Sequence, residues 1–497
     1  MEYKRPGGDI TTVLDRATRD GQDGTFFPLD TAGSWFYRDE IEKTFPTTMT
    51  TQEFAHRGAA EWGGRFTFDV NALQAGDLLH AVAIQVKVGH WYDSMTIAQM
   101  QAGNYMVDMS SNPWTYVESF GTSLIEYAEF EVGDKTIERI DGEFIRANLA
   151  MMSDINMQYG VGTDALGTAP LADVAANTGI MNPNRPWTVE KGIYTCILPF
   201  FFLRTRLKQV FPLVSCNEGT VRVIVKLRPF ADMVRSCTGA RESCTDTPLG
   251  KVVRFNRVSD GGVVTVRTSD NVPPFLDFRM ITYTALISDK IRGIYLRQPF
   301  DQILKLVQGF RFDEPMKYIV AKTNAMKDSV NIQLPLELNN PVQEIFWVFR
   351  RKATHINNEW GNFRPFVETQ VVPGRVVMPW LNDGVLRING MVVDNCEGEW
   401  WRDEFCKSHK GGWIARENYI YGYSFAINPD DHQPSGTANM SRSNSVTLNL
   451  TVRTPFPVAV PGGFEADVAQ GWEIYVYAMY FNWMRFENGM CGRVFAD

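Results

Sequence analysis

Several clusters in the chain bring together residue types that can do chemistry. Asp430, Asp431, His432 and Ser435 hold the groups of a hydrolase triad within six positions. In such a triad the histidine takes the serine proton while a carboxylate orients the ring, so the members must face one another, and known sets assemble from distant segments. Proximity in sequence therefore argues against catalysis here, as does the lack of a Gly-x-Ser-x-Gly elbow. The expectation is a turn with solvated or capping carboxylates. Cys396, Cys406 and His409 offer three zinc ligands, but nine residues between the cysteines is not the spacing of a common structural finger. Gly160-Val161-Gly162-Thr163-Asp164-Ala165 matches a loose dinucleotide fingerprint. Ala147 to Met152 ahead of it is not a strand pattern and no helix pattern follows, so a loop is expected. Trp400-Trp401 beside Glu397, Glu399, Asp403 and Glu404 suits a sugar platform, with rings stacking and carboxylates binding hydroxyls. Without an acid pair on facing strands, a subunit contact is the favoured reading. Asn439-Met440-Ser441 and Asn449-Leu450-Thr451 match the N-glycosylation sequon. No secretory leader is read in Met1 to Asp9, so both are expected to be unmodified.

The elements that must position these residues are strands. Val221, Val223, Val225 and Leu227 alternate with Arg222, Ile224, Lys226 and Arg228. Val330 to Leu338 and Val446 to Arg453 alternate in the same way. Each reads as a strand with one face in a core. Leu78 to Val88 is apolar on both faces and so should be covered on both sides. Ser259-Asp260-Gly261-Gly262 predicts a hairpin between Lys251 to Val258 and Val263 to Thr268. Helical spacing is confined to Lys135 to Leu149, through Ile137, Ile140, Phe144 and Ala147, and to Asp289 to Arg297. Strands and helices do not alternate, which excludes a parallel βαβ fold and predicts antiparallel β. Gly160 to Arg185, Arg235 to Thr247 (with Cys237 and Cys244) and Cys396 to Trp413 read as long loops.

The 497 residues fit two or three domains, and Gly 40 with Pro 25 at 44% hydrophobic content excludes a coiled coil or a disordered chain. Net charge is −8 without a basic stripe, so no direct nucleic-acid contact is expected. The longest apolar run, Gly192 to Leu203, is broken by Pro199 and is too short to span a membrane. Seven cysteines without a Cys-x-x-Cys pair suit synthesis in a reducing compartment.

The segment from Tyr423 to Arg442 is more specific than any of these clusters. It carries Gln433-Pro434-Ser435-Gly436, then Asn439, then Ser441-Arg442, and a strand from Val446 follows. This resembles the hallmark segment of the major capsid proteins of nucleocytoplasmic large DNA viruses. Tyr480 to Met490, ending in Asn488-Gly489-Met490, looks like the same family's closing strand and turn. Gln74 to Leu79, Glu131 to Ile140, Leu198-Pro199-Phe200-Phe201-Phe202 and Phe211-Pro212-Leu213 extend the similarity over almost the whole chain. Asp134 stands where a second Gly is common, and Leu286 to Phe300 is a looser match to the family's linker.

The resemblance implies an all-β fold of two consecutive eight-stranded antiparallel jelly rolls, with long loop insertions and few short helices. On that basis residues 1–24 are expected to form an N-terminal arm and 25–288 the first roll, with an insertion at 235–270. Residues 289–298 would be a linker and 299–497 the second roll. It further implies a structural protein without catalytic residues, cofactor or metal. Such a protein assembles as a homotrimeric, pseudo-hexagonal capsomer in an icosahedral virion shell after synthesis in host cytoplasm. Its partners would be neighbouring capsomers, minor capsid proteins and an internal membrane. The 235–270 insertion would stand at the outward end of the barrels. The competing readings are a β-sandwich carbohydrate-active enzyme built on the Trp400-Trp401 region, and a minor capsid or penton protein.

Overall fold

The computed structural model describes residues 46–93, 96, 98, 105–117, 120–152, 193–204, 210–236, 243, 245–257, 259–314, 329–351, 353–356, 358–363, 380–412, 418–430, 434–453 and 472–495. Alternation of apolar and polar residues builds the first sandwich. Its strands are β1 (Thr47–Ala55), β2 (Arg65–Val70), β3 (Leu78–Val88), β4 (Ile125–Val132), β5 (Lys135–Asp141), β6 (Ile193–Leu198), β7 (Val221–Leu227) and β8 (Phe275–Ile287). One sheet runs β1-β8-β3-β6 and the other β2-β7-β4-β5, all antiparallel. On β7, Val221, Val223 and Val225 are buried opposite Val70, Phe68 and Phe66 of β2, so the period-two pattern sets the register.

The second sandwich repeats this order. It comprises β9 (Phe300–Glu314), β10 (Ser329–Leu336), β11 (Pro341–Arg351), β12 (Leu381–Ile388), β13 (Met391–Glu397), β14 (Tyr421–Ser424), β15 (Val446–Arg453) and β16 (Trp472–Glu487). Its sheets run β9-β16-β11-β14 and β10-β15-β12-β13. Each strand of the first roll therefore has its counterpart eight strands later. Two four-stranded sheets in this interleaved order make a jelly roll, and the chain contains two. Both lie within one compact unit, Thr47–Asp497.

Among the described residues the longest helices are α1 (Gly142–Met152), α2 (Asp289–Arg297) and α3 (Gly398–Lys407). The helix expected over 135–149 is instead β5 followed by α1. Gly133 and Asp134, both at positive φ, turn the chain tightly, and Lys135 pairs with Val132. A β-bulge leaves Ile137 without a partner between Thr136 and Glu138, which shifts the pleat by one residue, so Ile137 and Ile140 are both buried and a strand here imitates the three-residue spacing of a helix.

The loop expected over 396–413 is largely α3. Trp401, Phe405 and Cys406 face the core, while Glu399, Asp403, Glu404 and Lys407 are exposed. Its first residue, Gly398, sits so close to β12 that a Cβ would lie 2.0 Å from the Leu381 carbonyl oxygen. The expected hairpin forms as Val252–Arg257 and Val263–Arg267, with Gly261 at φ 67° in its turn. It is joined by Tyr105–Val107 in a separate three-stranded sheet, so the insertion is built from two distant loops. Gly160 to Arg185, Cys237, Cys244 and the 1–24 arm lie outside the described residues.

Candidate functional site in the hallmark loop and the seam between rolls

β11 and β16 are buried along nearly their whole length because they carry a core on each face. Trp347 and Phe349 of β11 pack into their own roll against Trp401, Tyr421 and Trp380. The alternate face, with Glu344, Phe346 and Arg350, meets the first roll, where the Phe346 ring lies 6.2 Å from that of Phe144 on α1. Charged residues on an apolar strand need partners there, since a bare buried charge costs many kcal/mol.

The seam supplies those partners. Glu143 of α1 accepts from Arg228 of its own roll at 2.9 Å and from both terminal nitrogens of Arg350 at 2.9 and 2.7 Å. Arg350 also donates to Tyr475 Oη at 2.8 Å, and that hydroxyl donates to Glu473 at 2.6 Å. Tyr477 donates to Asp141, whose same oxygen caps α1 by accepting from the Phe144 amide at 2.7 Å. Arg204 of the first roll pairs with Glu138 and reaches across to the Lys305 carbonyl at 2.8 Å. Lys305 donates to the Pro429 carbonyl at 2.9 Å and faces Glu344 at 3.4 Å. Glu344 in turn faces His409 Nε2 at 3.2 Å, and His409 Nδ1 lies 2.8 Å from Asp430. Beside this network a cleft of about 680 Å³ opens between the rolls, lined by Arg139, Glu143, Arg311, Arg350 and Trp360 among others.

These contacts shift the groups in opposite directions. Burial tends to raise Glu143, but Arg350 and Arg228 outweigh it and hold the carboxyl below its ordinary range. Burial and the neighbouring Glu143 push Asp141 up to about 6. Burial opposes ionisation of Glu344, yet Lys305 and His409 bring it down to about 2. Burial would lower His409, but Glu344 and Asp430 raise it to about 9. The Glu344 and His409 pair is therefore ionic at neutral pH.

The hallmark segment runs over the edge of the second roll. The Ser435 hydroxyl accepts from the Asn428 amide at 3.0 Å and donates to the Asn428 carbonyl at 3.2 Å, closing the loop on itself. Gly436 passes so near Phe425 that a Cβ would lie 2.3 Å from its carbonyl oxygen. Asn439 pairs with Pro341 at the start of β11, and Ser441 Oγ accepts from the Asn340 amide at 2.8 Å. Arg442 is exposed, as is Pro434, and Gln433 lies outside the described residues. In the closing turn Asn488 and Gly489 both have positive φ, and Met490 pairs with Glu487. The Gly489 carbonyl accepts from the Glu218 amide of the first roll at 3.0 Å, so this turn also bridges the rolls.

The clusters singled out for chemistry are not assembled as such. Ser435 is engaged by Asn428 and Asp430 by His409 and the Lys410 amide, while Asp431 and His432 lie outside the described residues. Cys406 contacts the Ile420 carbonyl and Cys396 the Asp394 carboxylate, and among the described residues no group of three potential ligands could hold a metal. Trp401 is buried with its ring nitrogen donating to the Cys396 carbonyl at 3.0 Å, while Trp400 is 52% exposed. A helix turns adjacent residues about 100° apart, so the two rings do not form one sugar platform. Glu143, Arg350 and Glu344 were missed by sequence reasoning. The available signal was a charge within an apolar strand run, as in Pro341–Arg351.

Comparison with known proteins agrees with this architecture. A family model described as the major capsid protein N-terminus matches residues 35–251, and one described as the large eukaryotic DNA virus major capsid protein matches 313–492. The chain belongs to the major capsid protein family of large eukaryotic DNA viruses. Among curated members, the major capsid protein of Pyramimonas orientalis virus is 25% identical over 186 residues, which are 34% of this chain and 40% of that protein. That of Paramecium bursaria Chlorella virus 1 is 38% identical over 87 residues, 16% of this chain and 20% of that one. These matches thus span two fifths or less of the relatives' own length.

The fold likeness is broader. A chain of the PBCV-1 virus capsid, from a quasi-atomic model, superposes with TM-score 0.64 at 16% identity over 93% of this chain and all of that one. The Faustovirus major capsid protein gives 0.60 at 10% identity over 96% and 97%. The double jelly roll is the fold of this capsid family, whose members that match here are structural proteins rather than enzymes.

Proposed function

We propose that this capsid protein acts by self-assembly, as a homotrimeric pseudo-hexagonal capsomer of an icosahedral virion shell. One observation carries the reading: two jelly rolls of identical strand order are joined by a buried ionic seam into one unit. Three such chains around a three-fold axis offer six barrels of similar outline, and a heterologous contact repeated three times closes a ring. In this reading α2 and its flanks, residues 289–298, are the linker between the first roll at 25–288 and the second at 299–497, with 1–24 as an arm. The 235–270 insertion, with its exposed Val252 and Val263, stands at the outward end of the barrels. Trp400 and Ile427, the latter 80% exposed, supply apolar anchors for neighbours in the shell. Pro434, Arg442 and Met490 present the exposed parts of the hallmark segments to minor capsid proteins or adjoining chains. Production in host cytoplasm and apposition to an internal membrane complete the proposal. Native mass spectrometry of the purified protein tests it. A stable species of about 169 kDa, three times 56.4 kDa, is expected, and a monomer at micromolar concentration would overturn it.

A further inference from the structure

We propose that Cys216 and Cys491 are a reversible disulfide staple across the seam, closed by a small-molecule disulfide such as glutathione disulfide. Cys216 belongs to the first roll and follows the 3-10 turn Leu213–Ser215, its amide donating to the Leu213 carbonyl at 3.0 Å. Cys491 stands opposite Phe486 in the C-terminal hairpin of the second roll. Two contacts hold these segments together: the Glu218 amide bonds to the Gly489 carbonyl at 3.0 Å, and the Phe211 and Phe486 rings lie 5.8 Å apart. A Cβ on Gly489 would lie 2.3 Å from Asn217 Oδ1, so the backbone of the turn is pressed against the residue that follows Cys216. These contacts bring the two cysteine-bearing segments side by side, and neither thiol is in a disulfide. The other free cysteines of the described residues have different neighbours: Cys196 the Ile197 carbonyl, Cys396 Asp394 and Cys406 the Ile420 carbonyl.

The order of steps follows from exposure. Cys216 is 4% exposed, and the neighbouring Cys491 thiol together with burial holds its thiol well above the ordinary range, whereas Cys491 is partly open to solvent. The Cys491 thiolate attacks glutathione disulfide, forming a mixed disulfide and releasing one glutathione thiolate. Cys216 then loses its proton and attacks the Cys491 sulfur, forming the protein disulfide and releasing the second glutathione. Two cysteine thiols are oxidised and one glutathione disulfide is reduced to two thiols. The bond closes a loop of roughly 270 residues, which takes a large entropy from the unfolded chain, and it ties the closing turn of the second roll to the first.

The test uses the native full-length protein incubated with glutathione disulfide at pH 8, alkylated, digested and mapped by mass spectrometry. A linked peptide pair joining Cys216 to Cys491 is expected, with a higher urea midpoint than the reduced protein. Cys216→Ser should retain glutathione on Cys491 without a link, and Cys491→Ser should show neither. Wild-type protein that keeps glutathione on Cys491 unlinked, or leaves both thiols open to alkylation, would overturn the proposal, as would a pairing of either cysteine with another.

Discussion

Glu143→Gln isolates the charge at the centre of the seam. All three hydrogen bonds from Arg228 and Arg350 go to one carboxylate oxygen, Oε1, and the glutamine carbonyl can take that place with nearly the same shape. What is lost is the negative charge. The three bonds to the glutamine carbonyl remain assisted by the guanidinium charges, so the loss is that of the ion pairing. Breaking a buried ion pair by removing one partner costs about 3–5 kcal/mol, and the lower end applies here. Arg350 keeps the Tyr475 hydroxyl, and Arg228 lies 3.8 Å over the Trp360 ring, so neither cation is stranded. At a urea slope of about 3 kcal/mol/M the midpoint should fall by about 1 M. Arg57→Gln is the control: its pair with Asp69 is exposed on the arginine side, and such pairs contribute under about 1 kcal/mol. If Glu143→Gln and Arg57→Gln moved the midpoint equally, the seam would not be held by its buried charge.

Three further outcomes follow from the same geometry. His409 has a folded pKa of about 9, above its ordinary value, so its contribution to stability is complete below about pH 6.5 and is lost as pH rises through 9. Thermal unfolding should show a falling limb between pH 7 and 9 that His409→Gln flattens, and an unchanged limb would place the proton elsewhere. Gly489→Ala puts a Cβ against Asn217 at positive φ and should cost about 2 kcal/mol, read as faster proteolysis of the C-terminal hairpin. Equal cleavage rates would refute the close approach. Leu450→Asp buries a charge opposite Ile332 and Gly384, at a cost of several kcal/mol, and should give no soluble folded protein. A soluble, folded variant would mean that the register of β15 is wrong.

Strands were legible wherever one face met a core and the other met solvent. Val221 to Leu227 and Val446 to Arg453 read directly because burial alternates with the pleat. The same reasoning misread β5, whose bulge at Ile137 breaks the alternation and leaves Ile137 and Ile140 at helical spacing. It also misread α3, where four exposed charged residues hid the stripe formed by Trp401 and Phe405. The hallmark segment was legible as a motif, but the work of its residues was not. That Ser435 closes on Asn428, and that Gly436 is required by the Phe425 carbonyl, depends on a loop path that residue types do not encode locally.

The amino-acid sequence alone determined the antiparallel β class, because patterning and turn residues act over a few neighbours, while the double roll and the capsid family were read from the resemblance carried by Tyr423 to Arg442 and Tyr480 to Met490. Only the tertiary structure decided how the two rolls are held together. Glu143 and Arg350 are 207 residues apart, and the Lys305, Glu344, His409 and Asp430 chain draws on two strands and two loops. A charge in an apolar strand signals that some partner exists, since burial without one is prohibitively costly. Which partner meets it is set by the packing of one sandwich against the other, which no local pattern carries.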